Sequence, residues 1–179
     1  MRAINWLGLI GGVASIALVV LSPYIPWWRL TVGEDLFVVN TSPFNFNFNF
    51  LGSSFTIPVI LALNLSSILM LLISGMIMIV YSLNPSKTYS KRLLYFAYKK
   101  PMYSVILFLT GIIILTLTLN LMFNFNIPIH GDSQVSISNV AQATTIILPV
   151  KTSFYWPLWF AILTAIMCIA ARIYHKNIK

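Results

Sequence analysis

IPVILALNLSSILMLLISGMIMIVY, residues 57–81, contains no Asp, Glu, Lys, Arg or His. A helix rises about 1.5 Å per residue, so about 20 apolar residues cross the ~30 Å hydrocarbon core of a bilayer. A span of this kind must be helical, because lipid offers its backbone groups no hydrogen-bond partner. Three further runs share its character: about 3–21, 102–123 and 154–173, each uncharged through its middle. Ser22 and Pro23 end the first run and no A-x-A-like site follows, so it reads as a retained span rather than a cleaved leader. The expected fold is an all-α membrane protein, a bundle of four transmembrane helices in a single domain over residues 1–179.

Composition agrees. Of the 179 residues, 59% are hydrophobic and 8% charged, whereas a soluble domain carries about 25% charged residues to keep its surface hydrated. The single cysteine, Cys168, lies inside an apolar run, so no intrachain disulfide forms. The net charge of +8 would raise nucleic acid in a soluble protein. Here the cations sit between apolar runs, so they read as topology signals and no nucleic-acid partner is expected.

Sorting those charges sets the direction. Arg2, Lys87, Lys91, Arg92, Lys99, Lys100, Arg172, Lys176 and Lys179 fall on one side of the four runs. Arg29, Lys151 and all three acids (Glu34, Asp35 and Asp132) fall on the other. Short basic loops stay cytoplasmic. Both termini and the loop at about 82–101 are therefore expected inside a cell membrane, and the loops at about 25–56 and 124–153 outside. In the inner loop Lys87, Lys91, Arg92, Lys99 and Lys100 mix with Leu and aromatic residues. It reads as a short amphipathic helix or a span extension at lipid headgroups, where each cation contributes about 1 kcal/mol. None of the four spans, so drawn, has an ionisable residue at mid-depth.

The outer loops read as extended chain. Arg29–Gly33 and Leu36–Asn40 are rich in β-branched and aromatic residues, around a turn at Gly33-Glu-Asp35. Phe44, Phe46, Phe48 and Phe50 alternate with Asn, which puts every Phe on one face of a strand. That face is either the core of a small antiparallel β-sheet over the bundle or a surface that docks a partner or the outer leaflet; an open, weakly charged edge is also an aggregation hazard. Gln134–Ser138 alternates too and supplies one more strand. Trp27 and Trp28 suit a membrane interface. Asn40-Thr-Ser42 is an outer N-x-S/T triplet, making Asn40 a candidate glycosylation site.

Small residues recur at helical spacing: Gly8 with Gly12, and Ala161 with Ala165. Such faces let helices approach closely, within this bundle or against a second protein. Asn64 and Asn120 sit in spans, where they meet across an interface or line a polar pocket; the Ser and Thr residues there bond back to their own helix or to a neighbouring one. His130, Asp132, Glu34 and Asp35 are the only outer metal-ligand types, too few and too scattered for a closed zinc site. No catalytic, cofactor or metal motif appears, so no cofactor is expected and the chain reads as non-enzymatic.

The layout of helix, long β-rich outer loop, helix, basic inner turn, helix, shorter outer loop, helix resembles the claudin-like four-span superfamily. Pro26-Trp-Trp-Arg-Leu30 carries the likeness, since that family places a Trp in its first outer strand. Its Gly-Leu-Trp motif and its outer cysteine pair are missing here. The resemblance implies a left-handed four-helix bundle under a small antiparallel sheet. It also implies a non-catalytic role in cell-surface contact or as an accessory subunit. The expectation is thus an assembly subunit or contact protein acting through its outer cap, with the bilayer and a protein partner or second copy as its partners. A small permease, channel subunit or lipid-handling protein, and a redox-enzyme subunit without its own ligands, are the alternatives.

Overall fold

The computed structural model describes residues 4–33, 36–44, 46–50, 53–55, 57–123, 127–139 and 144–175. In chain order the elements are α1 (Trp6–Leu21), β1 (Trp28–Val32), β2 (Phe37–Thr41), β3 (Phe46–Phe50), β4 (Ser53–Phe55), α2 (Pro58–Leu83), α3 (Ser90–Ala97), α4 (Lys100–Phe123), β5 (Gly131–Asn139), β6 (Thr144–Phe154) and α5 (Trp156–His175). Asn5 starts α1 by accepting the Gly8 N–H at 3.0 Å, a side-chain N-cap. Ser22 ends it, its N–H and hydroxyl both donating to Leu18 O. Pro58 opens α2, where a missing N–H costs nothing.

Three apolar helical runs are long enough to cross a membrane: Pro58–Leu83, the α3–α4 run over Ser90–Leu121, and Trp156–His175. With α1, a shorter apolar helix of 16 residues, they point to a membrane-embedded protein. The helices are neighbours in the order α1, α2, α4, α5, with α3 against α2.

Two glycines bring α1 against α2. A Cβ on Gly12 would lie 3.0 Å from Gly75 O, and one on Gly75 would lie 3.0 Å from Gly12 O. Gly8 faces Ser82 and Tyr81, and Gly11 faces Cys168 of α5. Gly8, Gly12, Ala161 and Ala165 are all buried, so both small-residue rows are used inside the bundle.

The third column departs from the sequence reading. Ser67 bonds Ser104 O at 2.9 Å, Ser74 bonds Ala97 O at 3.1 Å, and Gly111 lies against Ile60. One antiparallel register therefore runs along the whole of α2, from α3 into α4. The 82–101 segment contains a short helix, one of its two readings: α3 packs along the half of α2 remote from the sheet, where Leu94, Ala97 and Tyr98 join Met78, Tyr81, Cys168 and Ala171 in a buried cluster. Lys99 and Lys100 consequently lie level with Leu71 and Leu72, near the middle of α2. The apolar run at 102–123 is the body of α4, Lys100–Phe123, and its register against α2 is what hydropathy does not record.

At the other end α4 continues past the first residue of α2. There it meets a six-stranded antiparallel sheet of order β4-β3-β2-β1-β6-β5. Ile112, Leu115 and Leu119 of α4 share one core with Trp28, Leu30, Val32, Val39, Val135 and Val150. The second outer segment supplies two strands rather than one. The unforeseen β6 includes Phe154, the expected start of the last span. Pro149 falls one residue past the last β1 pair, Val32↔Val150, and its carbonyl receives the Gly33 N–H at 2.8 Å. Gly33, at φ +55, makes the β1–β2 turn.

Gly75→Leu is expected to force α1 from α2 and destabilise the fold by about 1–3 kcal/mol or more. Leu72→Ala, on an exposed face, should change stability by no more than about 0.5 kcal/mol. Thermal unfolding in detergent reads both.

Candidate functional site

The sheet is anchored by its tryptophans. Trp27 and Trp28 are both fully buried. Trp27 packs on Phe108 of α4 at 5.1 Å between ring centroids, its backbone N–H donates to Thr41 O, and its backbone carbonyl receives the Tyr155 N–H. Trp28 donates through Nε1 to Ile129 O at 2.8 Å. This corrects the reading of the pair as an interfacial or partner-facing surface. They are the seam between sheet and α4, because the strand starts where α1 has just ended and its first residues face the projecting helix.

Register places Phe46, Phe48 and Phe50 opposite Thr41, Val39 and Phe37. On β2, Thr41 and Val39 belong to the face that is buried towards α4. What the β3 side chains touch lies outside the described residues. Phe44 is exposed. Asn40 is a partly exposed β2 residue paired with Arg29 and Asn47. It also lines a 280 Å³ pocket with Ser22, Tyr24, Arg29, Thr41 and Ser42 at the foot of the sheet.

Asn64 and Asn120 do not meet. Asn64 donates to Ser42 O at 3.1 Å, tying α2 to the sheet segment, and its Oδ1 has no hydrogen-bond partner among the described residues. Asn120 accepts the Ile127 N–H at 2.9 Å and holds the exit from α4. Ser15, Thr116 and Thr164 donate to carbonyls of their own helices, and Ser67 and Ser74 to the neighbouring column. These polar groups hold helices together.

The projecting part of α4 has two faces. One carries Ile112, Leu115 and Leu119 into the sheet core; the other leaves Ile113, Leu117 and Leu121 exposed, Leu121 by 85%. With Gly111 against Ile60, α2 reaches only to the level of Ile113 and ends there at Pro58, short of Leu117 and Leu121.

At the end of the bundle away from the sheet a polar knot joins three helices. Asn5 is fully buried and donates to Tyr81 Oη at 2.7 Å and Ala171 O at 3.0 Å. Tyr81 Oη also bonds His175 Nδ1 at 2.9 Å. Beside it Arg172 lies over the rings of Tyr95 and Tyr98, at 4.7 and 4.4 Å, and donates to Tyr98 Oη. Sequence reasoning missed this knot, because Asn5, Tyr81 and His175 are far apart in the chain; the one local signal was an Asn placed to cap α1. Lys87, Lys91 and Arg92 are exposed near the α2–α3 turn. Lys99 lies over Tyr98 at 5.7 Å, and Lys100 over Phe96 at 4.0 Å.

Among the described residues no three His, Cys, Asp or Glu side chains gather as metal ligands. No family model matches the chain, and no curated protein sequence is similar to it.

Tyr81→Phe removes the hydroxyl shared by Asn5 and His175 and leaves a buried amide hydrogen unpaired. A loss of about 1–3 kcal/mol is expected, read as a lower unfolding midpoint in detergent, with His175→Ala costing less because His175 is only partly buried.

Proposed function

We propose that this is a non-enzymatic four-span protein of the cell membrane, with both termini cytoplasmic, that assembles with a protein partner through its outer cap. The claudin-like resemblance of the Pro26–Leu30 segment belongs to the same reading. The observation that carries it is the exposed Ile113, Leu117 and Leu121 stripe on the part of α4 that leaves the bundle beside the sheet. Carried through the contacts, α1 and α5 lie level with about residues 64–83 of α2, a slab about 30 Å thick. That matches the hydrocarbon core. The stripe lies on the part of α4 that shares a core with the sheet, and exposed apolar surface beside the sheet offers an interaction site. The directed charge split supports the orientation.

A permease or channel role loses its main support, since Asn64 and Asn120 are engaged separately and do not line a common path. Native mass spectrometry in mild detergent tests the proposal. The wild type is expected to hold a second copy or a partner, and Leu117→Asn with Leu121→Asn to release it without lowering the unfolding midpoint. A strictly monomeric, partner-free wild type would overturn it.

A further inference from the structure

Lys99 and Lys100 stand out once their depth is known. By the Ser67–Ser104 and Ser74–Ala97 bonds they are level with the middle of α2. Along α2 they lie about 20 Å from its Pro58 end and about 17 Å from its Leu83 end, at about 1.5 Å per residue. Lys99 is exposed on the bundle surface and Lys100 partly so. Lys100 does not reach for either boundary: its Nζ sits 3.9 Å from Met70 Sδ and 4.0 Å from the centroid of the Phe96 ring. Met70 is itself only half-buried and Phe96 is exposed, so this surface faces outward from the bundle.

Two cations at this depth call for a counter-charge, and intramembrane ionisable residues pair with one another or mark a functional site. The chain has three side-chain carboxylates. Asp132 is on β5, and Glu34 and Asp35 fall in the chain between β1 and β2. All belong to the outer cap segments. A second copy of the chain has the same distribution and offers no acid at the required level. Lipid phosphates lie at the slab boundaries, and an extended lysine spans only a fraction of either distance.

We infer that the face formed by Lys99, Lys100, Phe96 and Met70 docks a transmembrane helix of another protein that carries a carboxylate near its midpoint. The apolar neighbours pack the partner helix, and the ammonium groups hold its Asp or Glu. This contact rests on the membrane-spanning reading, is separate from the cap, and gives the assembly role a second, charge-selective surface. A like arrangement of charges would repel partners bearing a mid-span cation, so the site selects as well as binds.

The test uses the full chain in phosphatidylcholine vesicles and labelled polyleucine transmembrane peptides bearing one central Glu or Gln. Energy transfer is expected to report on the order of tenfold tighter association for the Glu peptide. The preference should vanish in Lys99→Gln/Lys100→Gln and persist in Lys99→Arg/Lys100→Arg. Lys99→Glu/Lys100→Glu should prefer a peptide with a central Lys. An inserted protein that binds Glu and Gln peptides alike, or a preference that survives the double Gln variant, overturns the inference and leaves the membrane reading intact. Loss of the Glu preference when anionic phosphatidylglycerol is added would assign the counter-charge to lipid phosphate and equally overturn it. A chain that alkaline carbonate strips from the vesicles overturns both.

Discussion

The antiparallel register between α2 and the α3–α4 column is the constraint on which the other features depend. Its pins are small: the Ser67 hydroxyl on Ser104, the Ser74 hydroxyl on Ala97 O, and Gly111 against Ile60. In an apolar surrounding such bonds are individually worth only about 0.6–2 kcal/mol, yet together they leave one alignment. That alignment sets three things together: it draws α3 into the bundle, places Lys99 and Lys100 at mid-height, and pushes the last third of α4 beyond α2. The projecting helix then gives the sheet an apolar surface to close on.

The remaining packing follows from side-chain size. Gly12 against Gly75 lets α1 lie close to α2, and Gly11 makes room for Cys168 on α5. The inner end is tied by Asn5, Tyr81 and His175 and the outer end by Trp27 and Trp28, so each end has one polar or aromatic lock. Two exposed surfaces among the described residues are of different kinds: an apolar stripe on α4 beside the sheet and a cationic, aromatic face level with the middle of α2. An assembly subunit has use for both.

Much of this was legible from residues alone. The apolar runs gave the helices to within a few residues, since lipid-length stretches without charge have few other outcomes. Phe/Asn alternation announced β3, and Arg29–Gly33 with Leu36–Asn40 announced the β1–β2 hairpin. The failures have physical causes. β6 was hidden because Ile146-Ile-Leu-Pro149 shows no alternation, and Pro149 argues against a strand unless it falls beyond its neighbour's last pair. The tryptophans looked interfacial because their burial depends on α4 being longer than α2, which no local pattern records. The lysines read as headgroup contacts because hydropathy marks where apolar sequence stops and is blind to the level at which it stops. The candidate surfaces needed the register.

Depth is therefore the quantity to measure. Nitroxide labels at residues 72 and 121, introduced one at a time into a Cys168→Ala background and reconstituted in vesicles, report it by power saturation with oxygen and a water-soluble nickel complex. The account predicts that the label at 72, level with Lys99, is reached by oxygen and shielded from nickel, whereas the label at 121 is reached by nickel. A label at 121 as deeply shielded as that at 72 would place the outer part of α4 in the hydrocarbon and contradict the account.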